Sequence, residues 1–348
     1  MSDGGQGRLR SLDLPLLQEQ RRRMQEAERL LSTTFPKLEL RLRKERQLMF
    51  LHWKTLLFCA IILVYFALIL FRNLAYYRFR PGPPLKDLGH QSLPEITDDL
   101  GLVDIPMYIL FVLLGGTVLG AFYGHDSEAQ SASIQGTPSQ SLPEKPFFVN
   151  ALRRVMVVYS SGHLLRAATY LSTSLPGTAK HCRVGSDNLD PPPTLASCFT
   201  RMVSVNGNCG DLNFSGHILL FVMGVLFIDH YGPLMWRFER YSKIHFTLIC
   251  TAVFLGILQS ILILASRHHY TVDIVIAVYT APMLWHYFLR YDMDVSPDLG
   301  KIESELARES TWPRWLRISH CILSFMLILF FFIALVITLK GNLKGIAG

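Results

Sequence analysis

Apolar runs of roughly 20 residues, the length that an α-helix needs to cross a bilayer, recur along this chain of 348 residues. The runs lack the alternation of a membrane β-barrel, and backbone that crosses a bilayer must satisfy its own hydrogen bonds. The predicted fold class is therefore all-α, a polytopic bundle of membrane helices. Seven runs are candidate membrane helices: Thr55–Phe71, Val103–Tyr123, Val155–Leu175, His217–Trp236, Phe246–Ala265, His269–Leu289 and Ile318–Leu339. The alternative is six spans, with the last helix lying only in the interface.

The composition supports a membrane protein and excludes other classes. Charged residues make up 18% of the chain, below the roughly 25% that is usual in soluble domains, and the mean hydropathy is +0.28. An ordinary soluble enzyme and a disordered chain are therefore excluded. The net charge of +7 does not indicate nucleic-acid binding, because the basic residues cluster beside the apolar runs, where they orient membrane proteins.

Lysine and arginine are concentrated in alternate connections, which are therefore predicted to be cytosolic. The opposite side, predicted to be lumenal, then holds 72–102, 176–216, the turn at 266–268 and the C-terminus. The predicted organisation is a basic cytosolic N-terminal segment at 1–54, a six-helix catalytic membrane domain at 55–290, a cytosolic linker at 291–317, and a C-terminal hydrophobic helix with a short tail at 318–348.

Three of the six cysteines, Cys182, Cys198 and Cys209, lie in one polar loop on the predicted lumenal side. A secretory lumen is oxidising, so two of the three can form a disulfide, and the residues alone do not decide which two. Cys182 with Cys209 is one possible pair. The cysteines show no zinc-type spacing, and no metal site is predicted.

Two polar clusters, at 209–217 and 266–273, lie at membrane boundaries on this same predicted side. His269 and Asp273 are four residues apart and would share one face of a helix. A carboxylate there can hold one ring nitrogen protonated and leave the other as a base or nucleophile. Arg267 is a candidate for binding phosphate through two hydrogen bonds, although an arginine at this position can also simply extend to the interface.

The first cluster contributes Ser215, Gly216 and His217 at the start of a predicted helix, where backbone N–H groups favour an anion. Two histidines and an arginine on one side predict a site for phosphoryl transfer. The sequence shows no acidic cluster that would bind Mg²⁺, and no cofactor is predicted. Arg166, an ionisable residue inside a predicted span, is a further candidate for substrate binding, with extension to the interface as the alternative.

These motifs resemble the phosphatidic acid phosphatase superfamily of membrane lipid phosphatases and transferases. The resemblance is closer to the sphingomyelin synthase family, through Cys209-Gly210-Asp211, Ser215-Gly216-His217, His269-Tyr270-Thr271-Val272-Asp273, Arg166-Ala167-Ala168-Thr169 and Pro83-Pro84-Leu85-Lys86-Asp87. Within that family, His181-Cys182-Arg183, Pro191-Pro192-Pro193 and Gln259-Ser260-Ile261-Leu262 are similar to inositol phosphorylceramide synthases of plant type. The resemblance covers roughly residues 50–290.

The resemblance implies six membrane helices and a catalytic triad of His217, His269 and Asp273. It implies transfer of a phospho-head group from a glycerophospholipid to ceramide with release of diacylglycerol. Phosphoinositol from phosphatidylinositol is the preferred head group, with phosphocholine from phosphatidylcholine and phosphoethanolamine from phosphatidylethanolamine as alternatives. Ile218, which replaces a threonine common in sphingomyelin synthases, leaves the head group open.

The same resemblance implies a multi-pass protein of the Golgi, or of the endoplasmic reticulum or plasma membrane. The charges of the connections predict a lumenal active site and a cytosolic N-terminus. It allows a homo-oligomer and implies no nucleic-acid partner. Two rival functions remain at this level: a lipid phosphate phosphatase, in which water replaces ceramide, and a non-catalytic membrane protein that binds lipid or acts as a scaffold.

Overall fold

The computed structural model describes residues 36–96, 101–122, 145–186, 193–199 and 209–290. The predicted helix at Ile318–Leu339, the linker at 291–317 and the first part of the basic segment at 1–54 lie outside the described residues. By contact the chain divides into two compact units, residues 1–47 with 122–142, and residues 48–121 with 143–348.

All regular structure in the described part of the chain is helical, as predicted. The helices are α1 Pro36–Ile61, which continues as a π-helical segment Ile62–Leu70, α2 Phe71–Arg78, α3 Leu88–Ser92, α4 Ile105–Phe122, α5 Phe148–Ser172, α6 Gly216–Trp236, α7 Lys243–Ala265 and α8 Thr271–Leu289. Single 3₁₀ turns lie at Leu102–Asp104, Lys180–Cys182 and Ser197–Phe199.

Five helical stretches are long and apolar enough to cross a membrane, which confirms the class of a polytopic helical membrane protein. They are Leu38–Arg78, Leu102–Phe122, Gly216–Trp236, Lys243–Ala265 and Thr271–Leu289. The predicted third span is present as the 25-residue helix α5, but it is not among these five. Polar residues, which include Arg154, His163 and Arg166, lower its mean hydropathy. These three side chains are buried in the protein.

The first helix begins well before the predicted Thr55. In the first unit, Arg43 pairs with Glu39 and Arg41 pairs with Glu45, each at a spacing of four residues. Such pairs stabilise polar helical segments, so the helix extends into a region that a search for apolar runs does not detect.

The core of the second unit forms where α6 packs against α7 and α8, while α5 lies against α6 and α8. One apolar cluster joins three helices: Leu110 comes from α4, Phe221 and Ile228 from α6, and Ala252 and Leu255 from α7. Gly224 on α6 lets Leu110 approach closely, since a Cβ atom at this position would lie 3.0 Å from the leucine side chain. This packing fixes α6, whose first turn carries His217.

Candidate active site

The two histidine motifs meet at the carboxylate of Asp273, in the first turn of α8. Its Oδ1 atom accepts a hydrogen bond from the backbone N–H of Asn213 at 2.9 Å. The backbone N–H of Ser215 also donates to the carbonyl oxygen of Asp273, at 3.1 Å. Asp273 is fully buried. The start of α6 is therefore held directly against the start of α8.

His269 is bound to the same carboxylate, with 2.8 Å between its Nδ1 atom and Asp273 Oδ2. The prediction that both residues share a helix face was wrong, because α8 begins at Thr271 with Tyr270 as its N-cap. Asp273 Oδ2 instead caps the helix by accepting the Tyr270 backbone N–H at 3.1 Å, which brings the preceding histidine within reach. With a proton on Nδ1, the other nitrogen of His269, Nε2, keeps a lone pair.

His217 is the second residue of α6, and its ring centre lies 6.3 Å from that of His269. Ser215 is the N-cap of α6, and its hydroxyl accepts from the backbone N–H of Ile218 at 3.4 Å. Because Ser215 is fully buried, its side chain fixes the helix start. The structure thus brings His217, His269 and Asp273 together. Ser215 and Gly216 directly precede His217 at the start of α6.

Arg166 reaches this segment from α5. Its Nε atom donates to the carbonyl oxygen of Phe214 at 2.7 Å, and its Nη2 atom donates to Asp211 Oδ2 at 2.8 Å. A Cβ atom built on Gly216 would lie 3.7 Å from the guanidinium carbon. Arg166 is 6% exposed, so it does not extend to the interface. It holds the loop that precedes His217.

Asp211 receives a second cation, since Arg72 Nε lies 3.2 Å from its Oδ2 atom. Burial by itself would raise the pKa of Asp211, but the positive charges of Arg72 and Arg166 outweigh it and hold the pKa well below its usual range. Sequence reasoning assigned no role to either Arg72 or Asp211. The signal for Asp211 is its place in the motif Cys209-Gly210-Asp211, whereas Arg72 directly follows an apolar run and belongs to none of the motifs.

Arg267 makes its contacts elsewhere. Its Nη2 atom donates to the carbonyl oxygen of Leu93 at 2.9 Å, and its Nε atom lies 3.8 Å from Glu95. The residue adopts a φ of 60°, in the left-handed region that few side chains favour. Among the described contacts, the arginine beside the Ser-Gly-His motif is therefore Arg166 and not Arg267.

His163 is a buried residue near the site that sequence reasoning missed. It lies one turn before Arg166 on α5, and its Cε1 atom would be 3.7 Å from a Cβ atom on Gly216. Its ring stacks edge-on against Tyr159, with centres 4.5 Å apart, and its Nδ1 atom has no hydrogen-bond partner among the described residues. The available signal was its i, i+3 spacing to Arg166.

The structure contains the disulfide Cys182–Cys209. It joins the loop after α5 to the segment that carries Asp211. In the described part of the chain, one group of three metal-ligand side chains lies close together, His181, Cys182 and Cys209. Two of its three ligand atoms are the disulfide sulfurs, so this group does not form a thiolate metal site.

The arrangement supplies the groups that phosphoryl transfer needs. The lone pair of His269 Nε2 can attack phosphorus, and Asp273 can balance the positive charge that would then develop on the ring. His217 offers a second imidazole, close enough to exchange a proton with an oxygen bound to the same phosphorus. A phosphatase or a phosphotransferase that works through a phosphohistidine would need groups of this kind.

Comparison with known proteins agrees with this class. Residues 208–290 match the C-terminal domain of the PAP2 superfamily. A protein of Oryza sativa subsp. indica named phosphatidylinositol:ceramide inositolphosphotransferase is 32% identical over 260 residues, which cover 73% of this chain and 70% of the rice protein. Phosphatidylinositol:ceramide inositolphosphotransferase 3 of Arabidopsis thaliana is 31% identical over 61% of this chain and 65% of its own length.

A human protein, sphingomyelin synthase-related protein 1, is 27% identical over 254 residues, which cover 68% of this chain and 52% of the human protein. Fold and site thus define a polytopic membrane protein of the PAP2 superfamily. Within that superfamily, the chain belongs to the sphingomyelin synthase family, which includes the plant inositolphosphotransferases.

Proposed function

We propose that this protein transfers a phospho-head group from a glycerophospholipid to ceramide and releases diacylglycerol. The observation that carries the proposal is the 2.8 Å contact of His269 with Asp273, beside the ring of His217 at 6.3 Å. The names of the rice and Arabidopsis relatives, which specify ceramide as acceptor, support a transferase over a phosphatase.

In the first half-reaction, His269 Nε2 attacks the phosphorus of the donor lipid. An N–P bond forms as the bond from phosphorus to the diacylglycerol oxygen breaks. Protonated His217 gives its proton to the departing oxygen, because an alkoxide is a poor leaving group. Asp273 stabilises the positive charge that develops on the imidazole of His269.

In the second half-reaction, His217 is neutral and takes the proton of the ceramide hydroxyl. The ceramide oxygen attacks phosphorus, the N–P bond breaks and His269 is regenerated. His217 then carries the proton that the next turnover requires. The two half-reactions therefore balance without a further proton donor or acceptor.

The contacts of Arg166 favour a positioning role over direct binding of phosphate. Two of its nitrogen atoms bind Phe214 and Asp211, so we assign Arg166 to the positioning of His217. The donor phosphate would then be bound by backbone N–H groups at the start of α6, where Gly216 carries no side chain.

Phosphatidylinositol is our preferred donor, supported by the names of the two plant relatives. Phosphatidylcholine and phosphatidylethanolamine remain the alternatives. The basic connections favour a cytosolic N-terminus and a lumenal active site, and we place the protein in the Golgi on the resemblance to its family.

The test uses purified full-length protein, labelled ceramide, and each of the three donor lipids in turn. We expect a labelled phosphosphingolipid with at least one donor, most of it with phosphatidylinositol. Release of diacylglycerol and the free phospho-head group at a rate that ceramide leaves unchanged, with no labelled product, would instead identify a phosphatase.

A further inference from the structure

A cavity of about 300 Å³ lies beside the segment that carries His269. This volume is at the lower end of the roughly 300–1,000 Å³ of typical ligand sites. His90, in α3, lines the cavity, and its Nε2 atom lies 2.9 Å from the carbonyl oxygen of His269. The wall of the cavity and the catalytic histidine are therefore in direct contact.

The cavity wall formed by residues 84–91 is fixed to the start of α8. Asp87 accepts hydrogen bonds from the backbone N–H of Thr271 at 2.9 Å, from the Thr271 hydroxyl at 2.8 Å and from the His90 N–H at 3.1 Å. Burial alone would raise the pKa of Asp87, but these hydrogen bonds lower it. The Tyr270 hydroxyl also accepts the backbone N–H of Leu85, at 3.0 Å. A preformed wall of this kind binds ligand at a smaller entropic cost.

Three residues that line the cavity have donor atoms without a partner among the described residues. The side chain of Arg267 is 11% exposed, and its Nη1 atom is buried without a hydrogen-bond partner among the described residues. A buried guanidinium N–H without a partner is costly, so a ligand oxygen at this position would be stabilised. Lys86 and Gln91 also line the cavity and are exposed, and their side chains form no hydrogen bond or ion pair with the described residues.

The charges around the cavity disfavour a cation. Lys86, Arg183 and Arg267 line it, and the carboxylate of Glu95 is shared between the two arginines, 2.9 Å from Arg183 and 3.8 Å from Arg267. Both oxygens of Asp87 already accept hydrogen bonds. Among the described lining residues none is Trp, Tyr or Phe, the side chains that form the usual cage for a quaternary ammonium group.

We propose that this cavity binds the polar head group of the donor phospholipid and selects an uncharged polyol over an amine cation. The proposal rests on the proposed function and specifies the substrate class of that site. Arg267 Nη1 and Lys86 donate hydrogen bonds to ring hydroxyl groups, and the Gln91 carboxamide can both donate and accept. Choline and ethanolamine head groups would place a positive charge beside Lys86 and Arg267.

The test measures binding separately from turnover. Full-length protein with His269→Ala, which cannot form the N–P bond, is incubated with vesicles that hold equal amounts of the three donor phospholipids. The lipids that remain bound after purification are quantified by mass spectrometry. The measurement is then repeated on His269→Ala protein that also carries Lys86→Glu or Gln91→Leu. The control is Lys243→Glu, an equal charge reversal at an exposed lysine in the first turn of α7.

We expect the His269→Ala protein to retain phosphatidylinositol over phosphatidylcholine. Lys86→Glu should lower this ratio by about tenfold, since a hydrogen bond from a charged group contributes about that factor. Gln91→Leu should lower it less, and Lys243→Glu should leave it unchanged. An equal or reversed preference before any cavity substitution, or a ratio that both cavity variants leave unchanged, would overturn the proposal. Absence of transfer by unmutated protein would contradict the proposed function alone, because the binding ratio does not depend on it.

Discussion

Asp273 and Asn213 are sixty positions apart in the chain, yet the Oδ1 atom of Asp273 accepts the backbone N–H of Asn213 at 2.9 Å. The other oxygen of the same carboxylate binds His269. One buried side chain therefore orients the proposed nucleophile and also fixes the loop that leads to His217. A change at Asp273 should affect both histidines.

The first prediction concerns this carboxylate. Asp273→Asn should lower head-group transfer by about 10⁴-fold, because an amide does not supply the negative charge that sets the imidazole tautomer. His269→Ala should abolish transfer. It should lower thermal stability less than Asp273→Asn does, since Asp273 keeps its hydrogen bonds to Asn213 and Tyr270. Transfer rates and thermal unfolding of the purified variants are compared.

Asp229→Asn is the matched control. Asp229 lies on α6 about 18 Å from His217 along the helix axis, and it pairs with Arg240 at 3.0 Å. Its loss should leave transfer within a few-fold of the unmutated rate. Transfer near the normal rate by Asp273→Asn protein would exclude the orienting role.

The second prediction separates the two roles of His217. His217→Ala should slow both half-reactions, because the variant can neither protonate the leaving oxygen nor deprotonate ceramide. A donor with a more acidic leaving alcohol needs no proton, so it should restore the first half-reaction and leave the second slow. Rapid-quench measurement of each step tests this, and equal rescue of both steps would contradict the assignment.

The third prediction concerns the ion pairs of Asp211. The folded-state pKa of this carboxyl is lowered, so its contribution to stability is fully present above the unfolded pKa of about 3.9 and is lost progressively as pH falls from there through the folded-state pKa. Asp211→Asn leaves Arg72 and Arg166 without their shared anion, which should destabilise the protein by about 3–5 kcal/mol at pH 7. Thermal unfolding of both proteins between pH 3 and pH 7 should show the difference shrinking toward pH 3. A difference that does not depend on pH would refute the electrostatic account.

The fourth prediction concerns orientation. A glycosylation acceptor engineered near Asp187 should be modified in cells, because 176–216 is predicted to be lumenal, and one in 127–142 should not. Gel mobility before and after deglycosylation, relative to the unaltered protein, gives the result. The reverse pattern would place the active site in the cytosol.

The limits of sequence reasoning follow from particular residues. The proximity of His217 and His269 was predictable because the loop charges predict that both motifs lie at one membrane face. The cap at Tyr270 was not, because a pair spaced i, i+4 fits a helix as well as it fits a residue just before one. The direction of Arg267 depends on its positive φ, which the residue type does not indicate.

Contacts between distant segments were also beyond the sequence. The carboxylate of Asp211 binds two arginines from different helices, Arg72 of α2 and Arg166 of α5. Only the packed structure shows that the two arginines share this carboxylate. The wall of the proposed head-group cavity likewise depends on the hydrogen bond between Asp87 and Thr271, 184 positions further along the chain. The motif that contains Asp87 resembled a family signature but carried no indication of its partner.

The central claim is that His269 carries the phospho-head group between donor and ceramide. The direct measurement is mass spectrometry of the protein after incubation with labelled donor lipid alone, under conditions that preserve phosphohistidine. We predict that the phospho-head group is attached to His269 through an N–P bond, with one equivalent of diacylglycerol released, and that the label is transferred quantitatively to ceramide when ceramide is added. An unmodified His269 while transfer from donor to ceramide proceeds at the normal rate would contradict this claim.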